Sequence, residues 1–221
     1  MRRITKSSKQ PDFLKTWKRK YRTKTGNTAN YNTFACDHKT YLKLKRTLMA
    51  EQYHLCCYCC NRVNEKASHI EHFIPQSVDG SKQLDYHNLH ISCNGYIEKI
   101  STVDREFCGH RRQDWYDRHY IVSPLEADCE RIFLFQADGR IKPYNNDQRA
   151  AKMIENFGLD SYALVKAREM AINTAFELIG VFDGTLDEKM IEDYLEFNNN
   201  PNRSSELPPF CDAVAYILSH L

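Results

Sequence analysis

Residues 56–60 read CCYCC, and the segments HIEHFIPQS (69–77), DYHNLHISCNG (85–95) and FCGHRR (107–112) follow them. This stretch decides the fold, because cysteines stand at both of its ends and histidines lie between them. Tetrahedral zinc takes four thiolate or imidazole ligands, usually as two close pairs on separate loops. The short elements expected here could bury little core, so we expect a structural zinc ion to hold the module together.

Four cysteines of this stretch are the expected zinc ligands: Cys56, Cys59, Cys93 and Cys108. Cys57 and Cys60 form an equally spaced rival to the first pair, and spacing alone does not choose between them. We favour the first pair because Tyr58 then lies inside the knuckle and the next turn begins at Cys60. An insertion at 94–107 splits the second pair, so the spacing signal is weaker there.

The residues between the cysteines suit phosphodiester hydrolysis, which needs an activated water, neutralised phosphate charge and help for the leaving oxygen. His72 can act as general base, because an imidazole with a pKa of about 6.5 is largely neutral at cell pH. Glu71 is a hard oxygen ligand for Mg²⁺ or a similar ion, and His110 can complete that divalent-ion site. Asn88 can hold His72 in its working orientation.

Each of these residues also has a simpler interpretation. Neighbours on a strand point to opposite faces, so Glu71 and His72 can share one site only across a bent or bulged backbone. His69, and after it His72, is a rival ligand for the zinc. Asn88 could be a turn residue, and His110 could be a surface residue.

Basic residues occur in two places that could contact phosphate. Arg111 and Arg112 follow His110 and are candidate substrate contacts, or else solvated helix charges. The net charge is only +2, but the charges are unevenly spread. The first 25 residues contain a single acidic residue, Asp12, and many basic ones: Arg2, Arg3, Lys6, Lys9, Lys15, Lys18, Arg19, Lys20, Arg22 and Lys24. A basic arm of this kind suits a phosphate backbone, and its alternative is a solubilising face.

The composition, 42% hydrophobic and 27% charged, is that of a soluble globular protein. No apolar run is long enough to span a bilayer, and the polar start MRRITKSSKQ lacks the apolar core of a signal peptide. We therefore expect a cytoplasmic protein without membrane contact. In that compartment, its nine cysteines are expected to be free thiols or metal ligands rather than disulfides.

The pattern along the chain predicts an α+β, mainly helical fold in three segments. Residues 1–55 form a basic helical start, 56–118 the metal module, and 119–221 a β-hairpin followed by helices. The hairpin is expected at IFLFQADGRIK, with Asp138-Gly139 in its turn. From residue 146 onward the apolar spacing is helical.

The order of motifs also carries a resemblance: Cys56-x-x-Cys59, HIEHFIP at 69–75, Asn88-Leu89, Cys93 and Cys108-Gly109-His110. It resembles an HNH endonuclease with the ββα-metal fold. The variant with IEHFxPxS and a terminal CGH is similar to the PtuB family, the nuclease subunit of Septu-type and retron-associated anti-phage systems. The opening MRRITKSSKQPDFLKTW resembles the start of that family as well.

The resemblance implies a role for each candidate residue. His72 would be the general base, Glu71 and His110 the ligands of a catalytic Mg²⁺ or Mn²⁺, and Asn88 the orienting residue. The four cysteines would hold structural zinc. Two features depart from the pattern: many HNH proteins carry aspartate where this chain has Glu71, and Gly109 separates the last cysteine from His110. Asn94 is therefore an alternative metal ligand.

The resemblance further implies a toxic effector nuclease of an anti-phage complex. Its partners would be a PtuA-type ATPase and, in retron systems, a reverse transcriptase with its RNA–DNA hybrid. Residues 146–221 are the candidate partner surface, or a scaffold for the module. The substrate is DNA or a structured RNA such as tRNA. The rival hypothesis is a non-catalytic, zinc-stapled nucleic-acid or protein adaptor, which needs neither Glu71 nor His72.

Overall fold

The computed structural model describes residues 1–95, 106–181, 184 and 187–221. It has an α+β, mainly helical architecture with two small antiparallel sheets, which confirms the expected fold class. The elements run in this order: α1 Asp12–Thr25, α2 Tyr31–Cys36, α3 His38–Glu51, β1 Ser68–His72, β2 Leu89–Cys93, α4 Cys108–Arg112, β3 Phe133–Phe135, β4 Ile141–Pro143, α5 Gln148–Phe157, α6 Tyr162–Leu178, α7 Glu188–Asn199 and α8 Cys211–Leu218.

The first three helices pack beside the metal module. Asp37 caps α3 by accepting a hydrogen bond from the Thr40 backbone N–H at 3.1 Å, and it also accepts one from the Trp17 indole at 2.8 Å. This shared acceptor ties α1 to the start of α3. The short helix α2 begins with a capping box, which Asn30 and Thr33 form at its start.

Strands β1 and β2 pair antiparallel in a regular ladder that sets Ser68 opposite Cys93 and His72 opposite Leu89. The loop between them contains two short 3-10 turns, at Gly80–Lys82 and Tyr86–Asn88. The insertion inferred at 94–107 falls largely on residues 96–105, which lie outside the described part of the chain. Helix α4 follows and packs against β2 and α5.

The β-hairpin expected in the last segment is β3 and β4, with the Gly139 N–H bonded to the Gln136 carbonyl at 2.9 Å. Gly139 has φ of 82°, a conformation that side chains disfavour. Helix α5 ends at Gly158, which has a left-handed conformation. The next helix, α6, starts after Ser161.

One cluster of buried side chains draws on all three segments, from Leu14 and Leu48 through Ile91 and Phe107 to Met153 and beyond. The metal module is therefore packed between the N-terminal helices and α5. Of the helices in the described ranges, none is both long and apolar enough to cross a membrane.

Candidate functional site

The structure brings together the four cysteines expected to bind zinc, here called the cysteine cluster: Cys56, Cys59, Cys93 and Cys108. All four are buried, and their sulfur atoms lie within 4.8 Å of one another. The Cys59 and Cys93 sulfurs are 3.8 Å apart, far beyond a disulfide bond. A tetrahedron with zinc–sulfur bonds of about 2.3 Å has edges of about 3.8 Å. The cluster could therefore hold a metal ion such as zinc.

Backbone N–H groups point at these sulfurs, as they do around metal-bound thiolates. The Cys93 N–H donates to the Cys56 sulfur at 3.3 Å, and the Asn61 N–H donates to the Cys59 sulfur at 3.5 Å. Burial raises the pKa of the Cys108 thiol well above its usual value, because a thiolate is poorly solvated there. A dication would supply the missing stabilisation, so the donor set fits a structural zinc ion.

The rival pair, Cys57 and Cys60, is not part of the cysteine cluster. The backbone N–H of Cys57 bonds to the Ile91 carbonyl at 3.0 Å, and Cys60 packs in a separate buried group with Leu207 and Cys211. Cys60 also has a positive φ of 59°, which turns the chain after the knuckle. The two pairs that spacing could not separate thus have different surroundings.

On the α4 side of β1, His69 and Glu71 lie side by side. They are two residues apart on a strand and so share one face. The Nε2 atom of His69 is 3.1 Å from Oε2 of Glu71, and the ring centroids of His69 and His110 are 5.2 Å apart. The His69 Nδ1 atom is 3.4 Å from Oδ1 of Asn94. His69, a candidate zinc ligand by sequence, therefore lies with the expected divalent-ion residues instead.

This group has the donor chemistry of a divalent-ion site. Adjacent ligands of an octahedral ion with bonds of about 2.1 Å are about 3.0 Å apart, close to the His69–Glu71 separation. Among the described residues, however, the ligand atoms of His69, Glu71 and His110 do not all converge within the distance that the cysteine cluster meets. His69 and Glu71 are in direct contact, and the exposed His110 adjoins them through the ring of His69.

Gly109, which interrupts the expected motif, lies against this group. A Cβ atom on Gly109 would be 2.6 Å from Oε2 of Glu71 and 2.8 Å from Nε2 of His69. Real Cβ atoms do not approach so closely. Glycine at this position therefore lets the first turn of α4 approach the carboxylate and the imidazole.

Arg112 does not have the role that the sequence suggested. It was expected to contact phosphate, but its side chain is buried and only 3% of the residue is exposed. The guanidinium pairs with Oε1 of Glu71 at 3.2 Å and donates to the Tyr58 hydroxyl at 2.7 Å. It also donates to the His72 and Phe73 carbonyls at 2.9 and 2.8 Å. Arg112 positions Glu71 and the end of β1, and it is not available to a substrate.

Arg111, the other expected phosphate contact, is exposed. Its side chain lies over the end of α5, where a Cβ atom on Gly158 would be 2.5 Å from Arg111 Cδ. Glu155 lies near enough for the Arg111 charge to help lower its pKa, after the effect of Lys152. Nothing in these contacts directs Arg111 to His69 and Glu71.

His72 lies on the opposite face of β1 from Glu71. Its ring packs edge-on against Tyr31 of α2, with centroids 4.5 Å apart, and its Nε2 atom is 2.9 Å from the Gln83 carbonyl oxygen. The ladder through β1 has no bulge, so the bent backbone that would place Glu71 and His72 on one face is not present. A site that uses both residues must reach around the end of β1.

The hydrogen bond of the half-buried His72 ring indicates which of its nitrogens carries the proton. A carbonyl oxygen can only accept, so Nε2 carries the proton in the bond to Gln83, and Nδ1 of the neutral ring keeps its lone pair. Desolvation by burial lowers the pKa of His72 below its usual value. The neutral form therefore dominates at neutral pH.

Asn88 fixes the loop that follows His72 without touching the ring. Its side-chain oxygen accepts from the Ile74 N–H at 2.7 Å, and its amide donates to the carbonyls of Ile74 and Lys82 at 3.0 and 3.2 Å. Lys82 precedes Gln83, whose carbonyl holds His72. Asn88 therefore contacts the backbone near His72 and not its ring, so an orienting role would have to act through the backbone.

Sequence reasoning missed two residues of this group. His69 and Glu71 are two residues apart on β1, and this period-two spacing could have predicted that they share one face of the strand. Tyr58, whose hydroxyl donates to Oε1 of Glu71 at 3.0 Å, gave no such signal, because its partner is distant in sequence.

Compared with models of known protein families and with curated proteins, the chain matches none of them.

Proposed function

We propose that this protein is a metal-dependent endonuclease of the HNH type that hydrolyses phosphodiester bonds. The observation that carries the proposal is the fixing of His72 at the end of β1. One ring nitrogen is bonded to the Gln83 carbonyl, Asn88 pins the backbone on both sides of that loop, and the other nitrogen is left to take a proton.

In this proposal, His72 Nδ1 takes the proton from the attacking water, and the Gln83 carbonyl steadies the imidazolium that forms. The scissile phosphate lies at the end of β1, where His72 and Glu71 approach it from opposite faces. Arg112 and Tyr58 hold one oxygen of Glu71, which leaves the other oxygen directed towards His69.

Glu71 and His110, joined by His69, would hold the divalent cation, with Asn94 beside them. A bound Mg²⁺ or Mn²⁺ would neutralise charge on the phosphate and on the leaving oxygen. The zinc ion of the cysteine cluster would be structural, because all four of its ligands come from the protein and the thiols are buried.

The resemblance to the PtuB family extends the proposal to an effector of an anti-phage complex in the cytoplasm. The partners would be a PtuA-type ATPase and a retron reverse transcriptase with its hybrid. The substrate would be DNA or a structured RNA such as tRNA. The basic residues of α1 support a nucleic-acid substrate of either kind.

One observation favours a second candidate, a non-catalytic zinc-stapled adaptor. Both oxygens of Glu71 already have protein partners, and the pKa of His69 is raised despite its burial, because Glu71 bonds to it and carries the opposite charge. A closed His69–Glu71–Arg112 network could serve stability alone.

A cleavage assay separates the two candidates. The full chain, alone and with its partners, is incubated with DNA and total RNA in Mg²⁺ or in EDTA. We expect cleavage in Mg²⁺, and a loss of about 10²–10⁴-fold in rate for His72→Ala. His87→Ala, which removes an exposed histidine of the same loop, should cut like the wild type. Equal rates for the two variants would exclude His72 as the base, and no cleavage by the assembled complex would favour the adaptor.

A further inference from the structure

Helix α1 has two different faces. Trp17 and Leu14 lie on the inner face, where the Trp17 ring contacts the Phe34 ring edge-on at 5.0 Å and Leu14 is fully buried. The outer face carries exposed basic residues: Lys15, Arg19, Lys20 and Arg22. The apolar side of the helix thus fixes its orientation, and the basic side is held out towards solvent.

Part of this basic face forms the wall of a groove of 590 Å³. One wall is Lys18, Arg19 and Arg22 of α1, and the other is the loop at 80–85, with Thr28 and Ala29 at one end. Lys18 joins the two walls, because its ammonium group donates to the Leu84 carbonyl at 2.6 Å. The groove is therefore built by a specific contact between α1 and the loop that follows β1.

The charge in this groove is positive. Its one acidic residue, Asp85, already pairs with Lys82 at 3.1 Å and accepts from the His87 backbone N–H at 3.1 Å. Within residues 1–95, 106–181, 184 and 187–221, neither the Arg19 nor the Arg22 guanidinium has an ionic or hydrogen-bonded partner. Arg19 and Arg22 are three residues apart on a helix, so their Cβ atoms are about 5–6 Å apart. Each unpaired guanidinium group can bind a phosphate through two parallel N–H bonds.

The groove also adjoins His72. Gln83 lines the groove, and its carbonyl oxygen is bonded to Nε2 of His72 at 2.9 Å. The side chain of Gln83 accepts from the Tyr31 N–H at 2.9 Å, and the Tyr31 ring packs on His72. The same short loop therefore forms a wall of the groove and holds the proposed base.

We infer that this groove binds the phosphodiester backbone of a nucleic-acid strand, with Arg19 and Arg22 on successive phosphates, and leads that strand to His72. The inference rests on the proposed nuclease function for the purpose of the groove, and its binding step can be measured without cleavage. It assigns a defined site to two arginines, where the sequence indicated only a diffuse basic arm.

Binding is measured by fluorescence anisotropy in EDTA, using the full chain with a labelled 20-nucleotide single-stranded DNA, the same sequence as RNA, and a tRNA. Each titration is repeated across a range of salt concentrations. Losing two phosphate contacts should flatten the slope of log K against log salt by about 1.4 on a single strand, since each contact contributes about 0.7. The Arg19→Ala/Arg22→Ala variant should show this change. The DNA and RNA arms report which backbone the groove prefers.

The matched control is Lys15→Ala/Lys20→Ala, which removes the same charge from exposed positions of α1 outside the groove. It should change the slope by less than half as much. Circular dichroism checks that both variants keep the wild-type helix content. An equal effect of the two double variants, an unchanged slope for Arg19→Ala/Arg22→Ala, or no binding by the wild type would overturn the inference. A groove that binds as expected in a protein that never cuts would refute the nuclease proposal alone.

Discussion

Replacing Arg112 by methionine tests whether its buried guanidinium organises the end of β1. The change keeps a long side chain but leaves Glu71, which is only 8% exposed, without its cationic partner. It also removes the donors to the His72 and Phe73 carbonyls and to Tyr58. Removing one partner of a buried ion pair costs about 3–5 kcal/mol.

That loss has a measurable size. In a chain of this length, each kcal/mol shifts the melting temperature by about 2–4 °C, so Arg112→Met should lower it by about 6–20 °C. The measurement is thermal and urea unfolding at fixed zinc concentration, with the zinc content of each sample determined beforehand. The matched control is Arg46→Met, which breaks the Arg46–Glu65 pair at 2.6 Å, where the arginine side chain is 62% exposed. Solvent screens such a pair, so its loss should have a much smaller effect.

The comparison can refute the reasoning directly. If Arg112→Met unfolds at the same temperature as Arg46→Met, then the Glu71–Arg112 pair is not a buried, organising contact. Arg112 would then be available for the phosphate contact that its position after His110 suggested.

Two further substitutions test neighbouring features of the site. Gly109→Ala should destabilise the protein by about 1–3 kcal/mol, because its Cβ would collide with Glu71 and His69; Gly80→Ala, with no atom within 4 Å of its added Cβ, is the control, and equal stability of the two variants would contradict this packing. Asn88→Ala should cost about 1–3 kcal/mol, since it leaves the partly buried N–H and carbonyl of Ile74 without their Asn88 partner. Hydrogen exchange at the Ile74 amide should accelerate in that variant, and unchanged protection would mean that Asn88 does not hold the loop.

Local patterns in the sequence indicated much of this structure. The β-hairpin with Asp138-Gly139 in its turn and the helices after residue 146 each depend on local sequence, and each is present. The four zinc-spaced cysteines also converge as expected. Short-range rules worked for the hairpin and the helices because neighbouring residues decide those features, whereas the cysteines were predicted from the ligand needs of zinc.

The remaining features depended on contacts between distant residues. Spacing could not choose between Cys57/Cys60 and the other cysteine pair as zinc ligands. In the structure Cys60 packs against Leu207 and Cys211 near the end of the chain, and spacing within the motif does not indicate such a distant contact. Adjacent arginines at 111 and 112 look equivalent in sequence, yet helix geometry buries one against Glu71 and places the other over Gly158.

The surroundings of His72 likewise depend on contacts that the sequence alone does not reveal. Alternation along a strand warned that Glu71 and His72 would face opposite ways, and the regular register of β1 and β2 has that consequence. Only the fold could show that the His72 ring bonds to the Gln83 carbonyl and packs against Tyr31.

The zinc content of three purified proteins tests the central claim, that four thiolates around one ion brace the module. Native mass spectrometry of the wild type and of Cys57→Ser should show one zinc ion per chain, since Cys57 lies outside the cysteine cluster. Cys93→Ser should lose the ion and unfold at a lower temperature. Full zinc occupancy in Cys93→Ser, or its loss in Cys57→Ser, would contradict the account.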